Sequence, residues 1–80
     1  MQNPNAPEWF NGDILFPANE QDRDTVRHAQ RVLRLDETGE MDHNTRASLR
    51  AMQSLFKLKV TGMLDLATAY RIEQIRNRFA

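Results

Sequence analysis

Two aspartates, Asp42 and Asp65, are the residues whose type and placement most readily suggest chemistry, since a pair of carboxylates can divide acid and base work between them. They occupy matching contexts, Thr38-Gly39-Glu40-Met41-Asp42-His43-Asn44-Thr45 and Thr61-Gly62-Met63-Leu64-Asp65-Leu66-Ala67-Thr68, with a step of 23 residues from Asp42 to Asp65. Equivalent positions in a repeat, each at the start of a helical pattern, argue for helix caps, where a carboxylate accepts from an orphan backbone amide. His28 and His43 could serve acid–base chemistry. No nucleophile, metal cluster or Gly-rich phosphate loop accompanies either, and their spacing is not that of zinc ligands. Cysteine is absent, which excludes a thiolate metal site and a disulfide. The expectation is a chain with no catalytic residue and no cofactor.

Residues that could bind a ligand are more numerous. Arg46 and Arg50 stand one helical turn apart and could grip carboxylates, or form an ordinary solvated face. Gln30 and Gln53 occupy matching positions in the repeat. Each could bond a ligand, or tie the backbone of a neighbouring loop to its helix, because a buried amide must be satisfied. Trp9 and Tyr70 have flat amphipathic rings that could stack on sugars. Trp9 is also a natural anchor for the segment around it, which leaves Tyr70 the more exposed candidate.

The elements that must position these residues follow from the same repeat. Three apolar stripes at helical spacing share the 23-residue step: Val26, Ala29 and Leu33; Leu49, Met52 and Phe56; Ile72, Ile75 and Phe79. Asn19, Asp42 and Asp65 are the corresponding caps, with Asp22 or Asp24 an alternative for the first. Thr45 and Thr68 stand where a capping box has its reciprocal partner. Helices are predicted over about 20–34, 43–56 and 66–79. Gly39 and Gly62, just ahead of two caps, call for positive φ in tight turns. The connections, Leu35 to Met41 and Leu58 to Leu64, are short enough to make consecutive helices neighbours. Leu35, Met41, Leu58, Val60 and Leu64 are expected to tuck over the core.

Residues 1–18 read differently. Pro4, Pro7, Pro17, Asn3, Asn5, Asn11 and Gly12 break any helical pattern, yet Trp9, Phe10, Ile14, Leu15 and Phe16 cluster among them. A disordered tail rarely concentrates such residues. The segment is expected to be an extended arm, ordered against the body or against a partner, with partner docking slightly preferred. The fold class is therefore all-α: a three-helix domain over 19–80 preceded by a non-helical arm over 1–18.

Composition narrows the remaining classes. Eighty residues make one small domain. The net charge is zero, but all 11 Lys and Arg fall in residues 23–80, while 1–22 hold Glu8, Asp13, Glu20 and Asp22 and no base. This is ordinary surface charge or a body that prefers anionic partners. The body is only mildly basic and has no aromatic interleaving, so nucleic acid is not expected. No apolar run is long enough for a membrane helix, and Met-Gln-Asn-Pro-Asn lacks the basic and apolar regions of a secretory leader.

Taken together, Val26, Ala29-Gln30, Gly39-Glu40-Met41-Asp42, Thr45, Met52-Gln53, Leu58, and Thr61-Gly62-Met63-Leu64-Asp65 with Thr68 resemble the peptidoglycan-binding-domain-like superfamily. These are compact three-helix domains appended to bacterial and phage wall hydrolases. The run Met52 to Asp65 is also similar to the equivalent domain of matrix metalloproteinase propeptides. The resemblance covers about residues 19–80. Ala29 and Met52 depart from it, standing where the family usually has Leu and an aromatic residue. The propeptides' inhibitory cysteine has no counterpart.

The resemblance implies non-catalytic binding of cell wall peptidoglycan, its glycan or its stem peptide, in a shallow groove between the second and third helices. Arg46, Arg50, Gln53 and Tyr70 would be the ligand-binding residues. The alternative is a structural protein–protein module of a phage particle, docking on a neighbouring subunit through Trp9, Phe10, Ile14, Leu15 and Phe16. The corresponding location is a wall surface or a virion.

Overall fold

A computed structural model describes residues 6–79. The first five residues of the arm, and the side chain of Phe79 that the third stripe places in the core, lie outside that description. The three helices are α1 (Glu20–Val32), α2 (His43–Leu55) and α3 (Leu66–Phe79).

Each begins as its cap dictates. Asn19 accepts the Asp22 N–H at 2.8 Å, Asp42 the Thr45 N–H at 2.9 Å and Asp65 the Thr68 N–H at 2.9 Å. Each bond satisfies one of the four amides that a helix start leaves without a partner. Asp22 also accepts the Ala18 N–H at 2.8 Å, which ties the incoming chain to the first turn.

The ends of α1 and α2 fall short of the predicted 34 and 56. Both close in a Schellman motif. Leu35 N–H reaches back to Gln30 C=O and Leu58 N–H to Gln53 C=O, each at 2.8 Å. Arg34 donates to Arg31 C=O and Lys57 to Ser54 C=O, each at 3.1 Å. Such a closure needs one residue at left-handed φ. Arg34 (φ 61°) and Lys57 (φ 59°) supply it although neither is glycine. Leu33 and Phe56 are thus cap residues, half-buried against the core.

The core joins Val26 and Ala29 of α1, Leu49 and Met52 of α2, and Ala69 and Ile72 of α3 to Met41 and Leu64 from the turns and Ile14 from the arm. Ile75 packs at its edge. Val60 departs from expectation: it is 52% exposed. Its neighbours explain this, because Leu58 N–H and Thr61 N–H are both tied inward to Gln53, and Lys59 and Val60 between them are left facing out.

The arm packs on its own body, the other of the two outcomes expected for it. Ile14 and Leu64 exchange both backbone bonds, each 2.9 Å, in an isolated antiparallel bridge, and the Ile14 side chain is in the core. Trp9 donates its indole N–H to Glu73 of α3 at 3.1 Å, and its carbonyl accepts the Thr25 hydroxyl of α1 at 3.3 Å. Its ring stacks 4.5 Å from His28 and meets Phe10 edge-on at 6.4 Å. The arm therefore crosses α1, α3 and the second turn. Three of its five apolar anchors, Trp9, Phe10 and Ile14, are engaged within the chain, Ile14 fully and the other two half-buried. Leu15 (42% exposed) and Phe16 (65% exposed) remain at the surface.

A candidate anion-binding face on the second helix

The two glutamines set the geometry of the turns. Gln30 Nε2 lies 2.9–3.0 Å from the hydroxyls of Thr45 and Thr38 and the carbonyl of Glu40, and its Oε1 accepts the Gly39 N–H at 3.0 Å. Gln53 repeats the arrangement. Its Nε2 lies 2.8–3.1 Å from the Thr68 and Thr61 hydroxyls and the Met63 carbonyl, and its Oε1 accepts from Thr61 and Gly62 at 3.0 Å. The Thr38 and Thr61 hydroxyls in turn bond Asp42 and Asp65 at 3.2 and 3.3 Å. Each Thr-Gly-x-x-Asp-x-x-Thr sequence is thus one closed network around a buried amide. Gln53 is 0% exposed with both ends of its amide bonded inside the molecule. That corrects its place among the ligand-binding residues, because no polar atom of it is left for a ligand. Asp42 and Asp65 are caps. The Thr45 hydroxyl and amide hold the Asp42 carboxyl below the usual range, with Thr38 adding to them.

The arginines show where the repeat breaks its own symmetry. Gly39 (φ 78°) and Gly62 (φ 72°) each carry a guanidinium against the turn, Arg27 and Arg50 respectively; a Cβ built there would meet Arg27 Nε at 3.1 Å or Arg50 Nη1 at 3.2 Å. Arg27 is neutralised by Glu20 and Asp24. The same 23-residue step puts His43 and Ala47 where those acids stand. Among the described residues Arg50 makes no ion pair. Arg23 and Arg46 differ in the same way. Arg23 pairs with Glu20 at 3.4 Å, whereas Arg46 donates to the Met41 carbonyl at 2.9 Å and lies 4.5 Å above the exposed ring of Phe16. Two uncompensated guanidinium groups one turn apart, beside an accessible aromatic face, make a cationic and partly apolar strip along α2.

Tyr70 is on α3 and 39% exposed, with the Arg71 guanidinium 6.0 Å from its ring. Among the described residues no bond or stacking contact links it to Arg46 or Arg50. Sequence reading missed Phe16 as the neighbour of Arg46. It also passed over the contrast between Arg27 and Arg50, although laying the first repeat on the second shows Glu20 and Asp24 replaced by His43 and Ala47.

His28 packs beneath Trp9, and its Nε2 is buried without a partner among the described residues. Burial, reinforced by the Arg76 and Arg31 charges, holds it below the ordinary histidine value, against the pull of Glu73. A neutral ring packed in this way supports the arm. Among the described residues no group of three or more His, Asp or Glu could hold a metal, and no helix is long and apolar enough to cross a membrane.

Residues 41–72, from the end of the first turn into α3, match the family described as "Putative peptidoglycan binding domain". The matched segment contains both Arg46 and Arg50. Neither the curated proteins nor the solved structures provide a match.

Proposed function

We propose that this chain binds bacterial cell wall peptidoglycan without cleaving it, using the outer face of α2. The observation that carries this reading is the unbalanced pair Arg46 and Arg50, on a helix wholly within the family match, where α1 has the same arginines neutralised. Stem peptides present carboxylates, which a planar guanidinium accepts in bidentate fashion. The exposed Phe16 ring beside Arg46 offers a surface for the methyl groups or sugar faces next to those carboxylates, and Tyr70 offers a second ring on α3. Placement at a wall surface follows from this reading. The arm supports it by contributing Ile14 to the core of the same chain.

The test is co-sedimentation with purified sacculi, untreated and with their carboxyl groups chemically amidated. The chain should sediment with untreated sacculi, lose most of that binding on amidation or in high salt, and release no reducing ends or free amines. Binding indifferent to amidation would rule out carboxylate recognition, and release of new ends would contradict a non-catalytic role.

A further inference from the structure

A cleft lies where the C-terminal end of α2 meets α3. Phe56 and Ile75, both packed against the core, line it with Arg71, Gln74 and Arg78. Its volume is about 500 Å³, within the range of small-ligand sites. Arg71 lies 5.1 Å above the Phe56 ring and donates to Gln74 Oε1 at 2.9 Å. The stack and the bond restrain the guanidinium, so less side-chain freedom is lost when an anion arrives. Arg23, Arg27, Arg31 and Arg76 all have carboxylate partners. Arg71 and Arg78 have none among the described residues, and no acidic residue lines the cleft.

An apolar lining with two unneutralised guanidinium groups suits one kind of ligand, a carboxylate carried next to a small apolar group. We propose that this cleft binds the carboxyl end of a wall stem peptide, with the terminal carboxylate on Arg71 and Arg78 and the alanine methyl groups on Phe56 and Ile75. The peptidoglycan reading supplies only the source of the ligand; the preference for an apolar carboxylate stands on the cleft itself. Arg71 and Arg78 then act separately from Arg46 and Arg50, and the protein holds the wall polymer at two points.

The probe is the soluble peptide N-acetyl-Lys-D-Ala-D-Ala, titrated into the full chain labelled with 15N and compared with its C-terminal amide and with the L-Ala-L-Ala peptide. Amide shifts should centre on Phe56, Arg71, Gln74, Ile75 and Arg78. The terminal amide should bind at least about tenfold more weakly, as should the Arg71→Gln variant, since a charge-assisted bond contributes roughly that factor. Arg78→Gln, on the outer rim of the cleft and clear of the Phe56 stack, should weaken binding without altering the fold. Equal binding of acid and amide, shifts confined to other residues, or unchanged affinity in folded Arg71→Gln and Arg78→Gln would overturn the site. Tighter binding of the L-peptide would overturn its assignment to the wall and indicate a protein C-terminus. Sacculus binding that persists while the peptide fails removes this cleft and leaves the α2 face standing; a bound peptide without sacculus binding does the reverse.

Discussion

Gln53 shows how a residue suited to ligand recognition can be committed to structure. Its amide satisfies the second turn, the Thr68 hydroxyl and, through Thr61, the cap of α3. Replacing it with leucine removes partners from several buried groups, each costing about 1–3 kcal/mol. Gln53→Leu is therefore expected to unfold at markedly lower denaturant, and to be far more harmful than removing the single cap bond in Asp65→Ala, expected to cost about 1 kcal/mol. Chemical denaturation of the two variants checks the order. His28 yields a pH prediction at the same scale. Its folded value lies below the ordinary 6.5, so the unfolded chain takes up its proton first. The contribution is complete above that value and is lost as pH falls below it. Stability measured downward from pH 8 should begin to drop near pH 6.5, and His28→Phe should flatten that part of the profile. Asp42, held low by Thr45 and Thr38, adds a further loss in the acid carboxylate range.

At the scale of elements, the helix starts were legible in the sequence and the helix ends were not. Asn19, Asp42 and Asp65 are cap residues by type, and the 23-residue step aligns them. Leu49, Met52 and Ile72 were legible as core from their spacing, and Leu49→Ala should cost about 2–5 kcal/mol. The ends escaped because Arg34 and Lys57 take the left-handed conformation usually given to glycine, and nothing in their side chains announces it. This has a consequence of opposite sign. Lys57→Gly should relieve roughly 1 kcal/mol of backbone strain and raise the melting temperature by a few degrees. Destabilisation by that substitution would mean that the Lys57 side chain contributes more than its backbone costs.

Over the whole molecule, what sequence could not locate was the destination of the arm. Prolines and asparagines marked an extended segment, and its apolar residues implied burial. Choosing between self and partner depends on contacts such as Trp9 to Glu73, 64 residues apart in the chain, which no local pattern encodes. With Ile14 in the core, Ile14→Ala should cost about 2–5 kcal/mol, lowering the melting temperature of the monomer by roughly 8 °C or more. An unchanged melting temperature would mean that the arm is not part of the folded body. The candidate face was legible in part: Arg46 and Arg50 were identified by spacing, whereas their lack of acids became visible only beside Arg23 and Arg27 in the folded repeat.

The internal repeat supplies its own control for the α2 face. Two double variants, Arg46→Gln with Arg50→Gln and Arg23→Gln with Arg27→Gln, remove the same charges from equivalent positions of α2 and α1. Sacculus affinity measured for both at one salt concentration should fall at least about tenfold for the α2 pair, as expected when charge-assisted contacts are lost, and change little for the α1 pair. Equal losses in the two, or a loss confined to α1, would contradict a binding face on α2.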